Sequence, residues 1–269
     1  MRVALFTLLF AGLATTTVLP QTYPMQTPIP RTTSVPVLRG LAVAREIEER
    51  FRIGLDAEAR GDWKHAAAEF ERVLVLNPPE PKGSTAHYDL ALAYANLGRN
   101  DEAARELRTA IGLDPGFLAA MANLISVDLA RGDLADARSV ADRYVALDPD
   151  SARALYSRGI VALKAGDAAT ARADFGKLLH QNPSYAVAHY NLALAEERLG
   201  RDDAAERELR SALALAPTYA RAAFALGAVL LKEGRRREAR DAFARATRDA
   251  AADPALANIA AAMRDSITI

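Results

Sequence analysis

The chain has 269 residues, Lys+Arg and Asp+Glu are both 34, and there is no cysteine. A balanced charge gives no electrostatic footprint for nucleic acid or an anionic surface, and the lack of cysteine excludes disulfides, thiolate metal sites and a cysteine nucleophile. Apolar residues make up 51% but aromatics only 6%, so Ala and Leu carry the core, a mixture suited to closely packed helices.

The N-terminus opens with Met1-Arg2 and the short apolar run VALFTLLFAGLA (3–14), ending in the small-x-small pattern Gly12-Leu13-Ala14. This layout predicts a secretory signal peptide over 1–19, with cleavage after Ala14. The apolar stretch reaches only Leu19, short of the ~20 residues a spanning helix needs. An uncleaved anchor in the inner membrane is the alternative. Residues 20–40 carry Pro20, Pro24, Pro28, Pro30 and Pro36 among threonines, which predicts an extended linker. The expected compartment is periplasmic or extracellular. Heavy Ala and Arg use is a habit of bacterial, GC-rich coding.

From there the chain repeats itself. LGRNDEAARELRTAIGLDP (97–115) returns as LGRDDAAERELRSALALAP (199–217), an offset of 102, or three times 34. Glycines stand at Gly61, Gly98, Gly132, Gly166, Gly200 and Gly234. Five residues after each comes an alanine, from Ala66 to Ala239, and seventeen after the first five comes a proline, from Pro78 to Pro217. Before each glycine the apolar pattern has helical period, as in AHYDLALAYANLG (86–98). A second amphipathic helix follows, and the proline ends it. Each unit is therefore a hairpin of antiparallel helices, and neither helix buries its apolar stripe without neighbours. Six units are expected, at about 47–80, 84–117, 118–151, 152–185, 186–219 and 220–252. Asp253-Pro254 then predicts an N-cap and first-turn proline for a capping helix in 253–269. The insert PPEPKGST (78–85) should be a mobile, exposed loop.

With these columns in place, the chain resembles the tetratricopeptide repeat family, whose period is 34 residues. The small position of the first helix is Gly54, Ala91, Gly159, Ala193 and Gly227; the large apolar position of the second is Phe70, Leu107, Phe175, Leu209 and Phe243. The third unit departs, with Ile125 at the small position, Asp128 at a usually apolar one, and Ala141 at the large one, where Tyr144 should refill the volume. The resemblance implies an all-α fold, a right-handed α-solenoid of stacked antiparallel hairpins (a tetratricopeptide superhelix) with a C-terminal capping helix. It also implies a concave groove, lined by first helices, that holds peptides or a partner's helix.

The fifth position of each unit, which the resemblance points into that groove, carries Phe51, Tyr88, Ala122, Tyr156, Tyr190 and Phe224. Such rings offer rigid contact area for a partner, or else pack against neighbouring helices; sequence leaves both open. Ala122 with Ser126 is expected to leave a notch. Groove-type charges begin acidic at Glu48 and Glu58 and turn basic at Arg153, Lys164, Arg198, Arg221 and Lys232, with Glu197 an exception and Arg235 to Arg237 at a nearby turn. A basic half-groove suits an acidic segment of a partner. The Lys/Asn carboxylate clamp of some family members is not reproduced, because the first unit has Phe51 and Leu55 there.

Motifs for catalysis, cofactors and metals are missing from the sequence: no HExxH, no phosphate-cradling loop and no nucleophile elbow. His87 and His189 recur through the repeat, three units apart. The expected activity is non-catalytic: a protein- or peptide-binding scaffold in bacterial envelope assembly, secretion or polysaccharide export. A structural spacer, or a module that associates with itself, is the alternative.

Overall fold

A computed structural model describes residues 35–268 of the chain. The expected signal segment lies outside the described residues, as does the linker up to 34. From Val43 onward the chain is one compact unit. Among the described residues there are thirteen helices, paired as α1 (Val35–Ala59) with α2 (Trp63–Val75), α3 (Lys82–Asn96) with α4 (Asn100–Leu113), and α5 (Leu118–Arg131) with α6 (Leu134–Leu147). The pairs α7 (Ala152–Ala165) with α8 (Ala168–Gln181), α9 (Ala186–Arg198) with α10 (Asp202–Leu215), and α11 (Ala220–Lys232) with α12 (Arg236–Asp249) follow, and α13 (Pro254–Ser266) closes the array. None of these helices is long and apolar enough to cross a membrane.

Two sequence expectations need correction. Helix α1 begins at Val35, so the last residues of the predicted linker are helical. Pro36 falls in its first turn, where a missing N–H costs no intrahelical bond. The insert is also more ordered than expected: Lys82–Thr85 form the first turn of α3, and Ser84 is 1% exposed, its Oγ donating to the Pro81 carbonyl at 2.9 Å.

Local chemistry sets the hairpin turns. The glycine after each first helix has φ between 72° and 83°, a left-handed conformation costly for any residue with a Cβ. Asp62, Asp167 and Asp253 each accept a backbone N–H of the helix that follows, Asp253 from Leu256 at 3.1 Å with Pro254 in the first turn of α13.

Inside each hairpin the two helices meet through one small and one large side chain. A Cβ added to Gly54, Gly159 or Gly227 would lie 2.7, 2.6 or 2.8 Å from the ring of Phe70, Phe175 or Phe243. Where the small residue is alanine, at Ala91 and Ala193, the large one shrinks to Leu107 and Leu209, both 1% exposed. The third unit reverses the order, with Ile125 in the first helix and Ala141 in the second, and buries Tyr144 beside them. Size is thus exchanged within each unit at near-constant fill, as a close-packed interior requires. Asp128 is fully buried but not orphaned. Arg108 Nη2 reaches its two oxygens at 3.0 and 3.2 Å and Arg131 Nη1 donates at 2.9 Å. Burial pushes its pKa up against the pull of those two guanidinium groups.

First helices of successive units pack directly, α5 on α7 and α7 on α9, and more closely than any second helix packs on the next. The first helices therefore lie on the inner, concave side.

Candidate binding groove

The five predicted rings are all half-buried, and each leans on a second aromatic. Phe51, Tyr156 and Phe224 meet the core phenylalanines Phe70, Phe175 and Phe243 of their own units with centroids at 5.5, 6.0 and 5.4 Å, all edge to face. Tyr88, Tyr156 and Tyr190 meet Phe117, Tyr185 and Tyr219 at 4.9, 5.8 and 5.1 Å. These last three rings form a second row, two residues after Pro115, Pro183 and Pro217, in the cap position of the next first helix. Sequence reading missed this row, although it recurs with the repeat. The predicted row thus both packs and stays partly exposed. Burial raises the pKa of Tyr156 and Tyr190 and pushes Tyr219 up to about 12, so these phenols stay neutral near pH 7.

A polar seam runs beside the rings. Asn123 Nδ2 donates to the Tyr88 hydroxyl at 3.1 Å, and its Oδ1 accepts from Arg153 Nη2 at 3.0 Å, linking α3, α5 and α7. This chain of bonds crosses the expected notch. Ala122 is 2% exposed, and the Ser126 hydroxyl is spent on the Ala122 carbonyl at 3.1 Å.

The predicted basic half is partly paired with acids from within. Lys232 pairs with Asp202 at 2.6 Å, and Arg221 lies 3.7 Å from Asp253. Arg198 donates to the Leu163 carbonyl, and Arg235 is held by Glu206, Glu233 and Glu238. Lys164 is exposed and stands apart from these pairs. At the other end, Glu48 pairs with Lys82, whereas burial raises the pKa of Glu58. Asp89 is 7% exposed, and burial, with Glu58 beside it, pushes its carboxyl up to about 7.

Two family models, both described as tetratricopeptide repeat, match the sequence, one over residues 51–116 and 156–220 and the other over 97–158. The chain belongs to the tetratricopeptide repeat family. No curated protein matches it. Solved structures do. A tetratricopeptide repeat protein from Parabacteroides merdae aligns at TM-score 0.67 and 17% identity, over 84% of this chain and 94% of its own. The MamA protein aligns at 0.57 and 24%, over 62% and 91%, and MamA from Desulfovibrio magneticus at 0.59 and 19%, over 63% and 96%. At these identities the likeness is one of fold. Family and fold together support a protein-interaction scaffold, and such repeat scaffolds are typically non-catalytic.

The tetratricopeptide columns also explain the histidines. Within each unit one column of the first helix faces one column of the second: Arg50 pairs with Glu69 at 3.2 Å, and His87 and His189 pair with Glu106 and Glu208, each at 2.6 Å. In the third and sixth units these columns turn apolar, to Met121 with Val140 and Ala223 with Ala242, and a hollow opens at each. The two hollows, about 330 and 240 Å³, are lined by residues 102 apart, including Arg108 and Arg210, Asp136 and Glu238, and Arg143 and Arg245. Arg143 and Arg245 each donate to a proline carbonyl of the preceding unit, Pro115 and Pro217, with nearest contacts of 2.7 and 2.5 Å.

Proposed function

We propose that this tetratricopeptide protein is a non-catalytic scaffold that holds an extended segment of a protein partner along its concave face. The observation that carries this reading is the double row of half-buried rings on the inner side of the stack, each braced by a second ring. Braced aromatics present contact area whose ordering cost is already met by the fold. An acidic stretch in that segment finds support in Lys164, exposed in the last turn of α7. We place the work in the bacterial envelope, in assembly, secretion or polysaccharide export, a setting that rests on the apolar run at 3–14.

The test is crosslinking capture with the full chain from an envelope extract, beside a Tyr156→Ala, Tyr190→Ala variant whose helicity is checked by circular dichroism. A partner captured by the wild type and lost by the folded variant supports the groove. A partner retained by both moves the interface off it, and capture of the bait alone favours self-association.

A further inference from the structure

The outer side of the stack, where second helices neighbour one another, carries the two hollows that recur 102 residues apart. In the first, second and fifth units the facing columns hold bridging pairs, Arg50 with Glu69, His87 with Glu106 and His189 with Glu208. In the third unit the same columns hold Met121 and Val140, which are apolar and make no such bridge. The hollow there has a volume of about 330 Å³. Buried Met121 and Leu124 of α5 close it from below, and Ile111 of α4 and Val140 of α6 form its walls.

Its charged rim is two arginines and one acid. Arg108 is spent, reaching Asp128 at 3.0 Å and Asp136 at 2.8 Å. Arg143 is not. Its Nη2 donates to the Pro115 carbonyl at 2.7 Å, its side chain is exposed, and it joins no ion pair among the described residues. One edge of the guanidinium is thus pinned, and its other N–H groups are left for an acceptor at the mouth of an apolar hollow. Pinning also removes side-chain freedom that a ligand would otherwise have to freeze. The sixth-unit hollow has the same frame and a different balance. Asp241 stands where the third unit has Ser139, and Arg245 lies 3.7 Å from Asp249. Its two arginines face two lining acids with a third close by, so the positive excess belongs to the third-unit hollow alone.

We propose that the third-unit hollow is a docking site on the outer face for a partner segment that seats one leucine- or phenylalanine-sized side chain between α4 and α6 and lays a neighbouring carboxylate on Arg143. An apolar wall with one placed polar group supplies both affinity and orientation, and a carboxylate matches the guanidinium fork with two parallel bonds. The site is separate from the concave groove and does not rest on that reading.

The experiment is a methyl-detected NMR titration of the full chain with acetyl-Gly-Leu-Glu-Gly-amide, its Leu-Gln counterpart and its Ala-Glu counterpart. Ile111 and Val140 report the third-unit hollow, and Leu213 reports the sixth. The expected result is saturable movement of Ile111 and Val140 with the Leu-Glu peptide while Leu213 stays in place. Binding weakens about fivefold with Gln for Glu and about tenfold or more with Ala for Leu. Arg143→Gln erases the advantage of Glu over Gln. Met121→His with Val140→Glu installs the second unit's own pair and abolishes binding. Circular dichroism checks both folds, and Arg143→Gln, at an exposed position, carries the test if the plugged variant unfolds. No saturable shift at Ile111 and Val140, equal binding of the Glu and Gln peptides, an unchanged preference in Arg143→Gln, or equal movement of Leu213 would overturn the site. Loss of binding in Tyr156→Ala with Tyr190→Ala overturns it too, by placing the peptide in the groove. Octanoate binding as tightly as the Leu-Glu peptide overturns the assignment to a partner segment, since the hollow would then take a free amphiphilic acid.

Discussion

The interior of each hairpin and the seam between hairpins follow different rules. Inside, a change at one position is answered at the facing one. Gly159 faces Phe175, and a Cβ there would lie 2.6 Å from the ring, while alanine at the same column comes with leucine opposite. On the seam, Asn123 donates to Tyr88, but the same two positions of the first junction hold Phe51 and Asp89, and burial with Glu58 pushes the Asp89 carboxyl up to about 7. Packing defects inside a hairpin cost stability and bring nothing in return. A buried carboxylate on the seam costs stability where its charged form is desolvated. The hairpin interior is thus compensated position by position, and the seam is not.

The sharpest way to break the interior rule is Gly159→Ala. Overpacking against Phe175 should destabilise the fold by about 2 kcal/mol, and adding Phe175→Leu should recover most of that loss, because it recreates the pairing of the second and fifth units. Urea unfolding of the two single variants and the double variant checks this; simple additivity would show that the two residues do not share one volume. On the seam, Asp89→Asn should stabilise the protein at pH 8 by about 1–2 kcal/mol, less than a full charge because the amide is also short of a partner. The sign follows from linkage. The folded carboxyl binds its proton more tightly than the unfolded one, with its pKa raised from 3.8 to about 7. This group's penalty is therefore absent below the lower value and grows as pH rises through the window. Thermal melts between pH 4 and 8 should show the gap between variant and wild type widening with pH, and a gap independent of pH would show that Asp89 is not the buried acid. The smallest expected effect is at the outer bracket. Arg143→Ala removes a bond from an exposed guanidinium to the Pro115 carbonyl, and a melt should register a loss of about 0.5 kcal/mol.

Much of the fold was legible because its determinants are local and repeat at one interval. A glycine that must take a positive φ, an alanine that must be small and a proline that must end a helix each act on their own few residues. Asp253 and Pro254 announced the last helix in the same way, and the cap and first-turn proline are there. The start of α1 was misplaced because Pro36 is a breaker inside a helix but not in its first turn. In the groove, the predicted ring column was legible, while Phe117, Tyr185 and Tyr219 were not singled out. Their role appears only when the hairpin that follows is laid against the one before.

The sequence by itself determined the hairpin, its period and the order of small and large residues, since each of these follows from backbone conformation and helical periodicity within one unit. Only the tertiary structure decided which charges are met. Lys232 finds Asp202, Arg235 is held by three glutamates, and burial pushes the Asp89 carboxyl up to about 7. Those outcomes depend on distances between side chains of different helices. A difference of a few ångströms there separates a satisfied pair from an exposed charge, and spacing along the chain does not encode it.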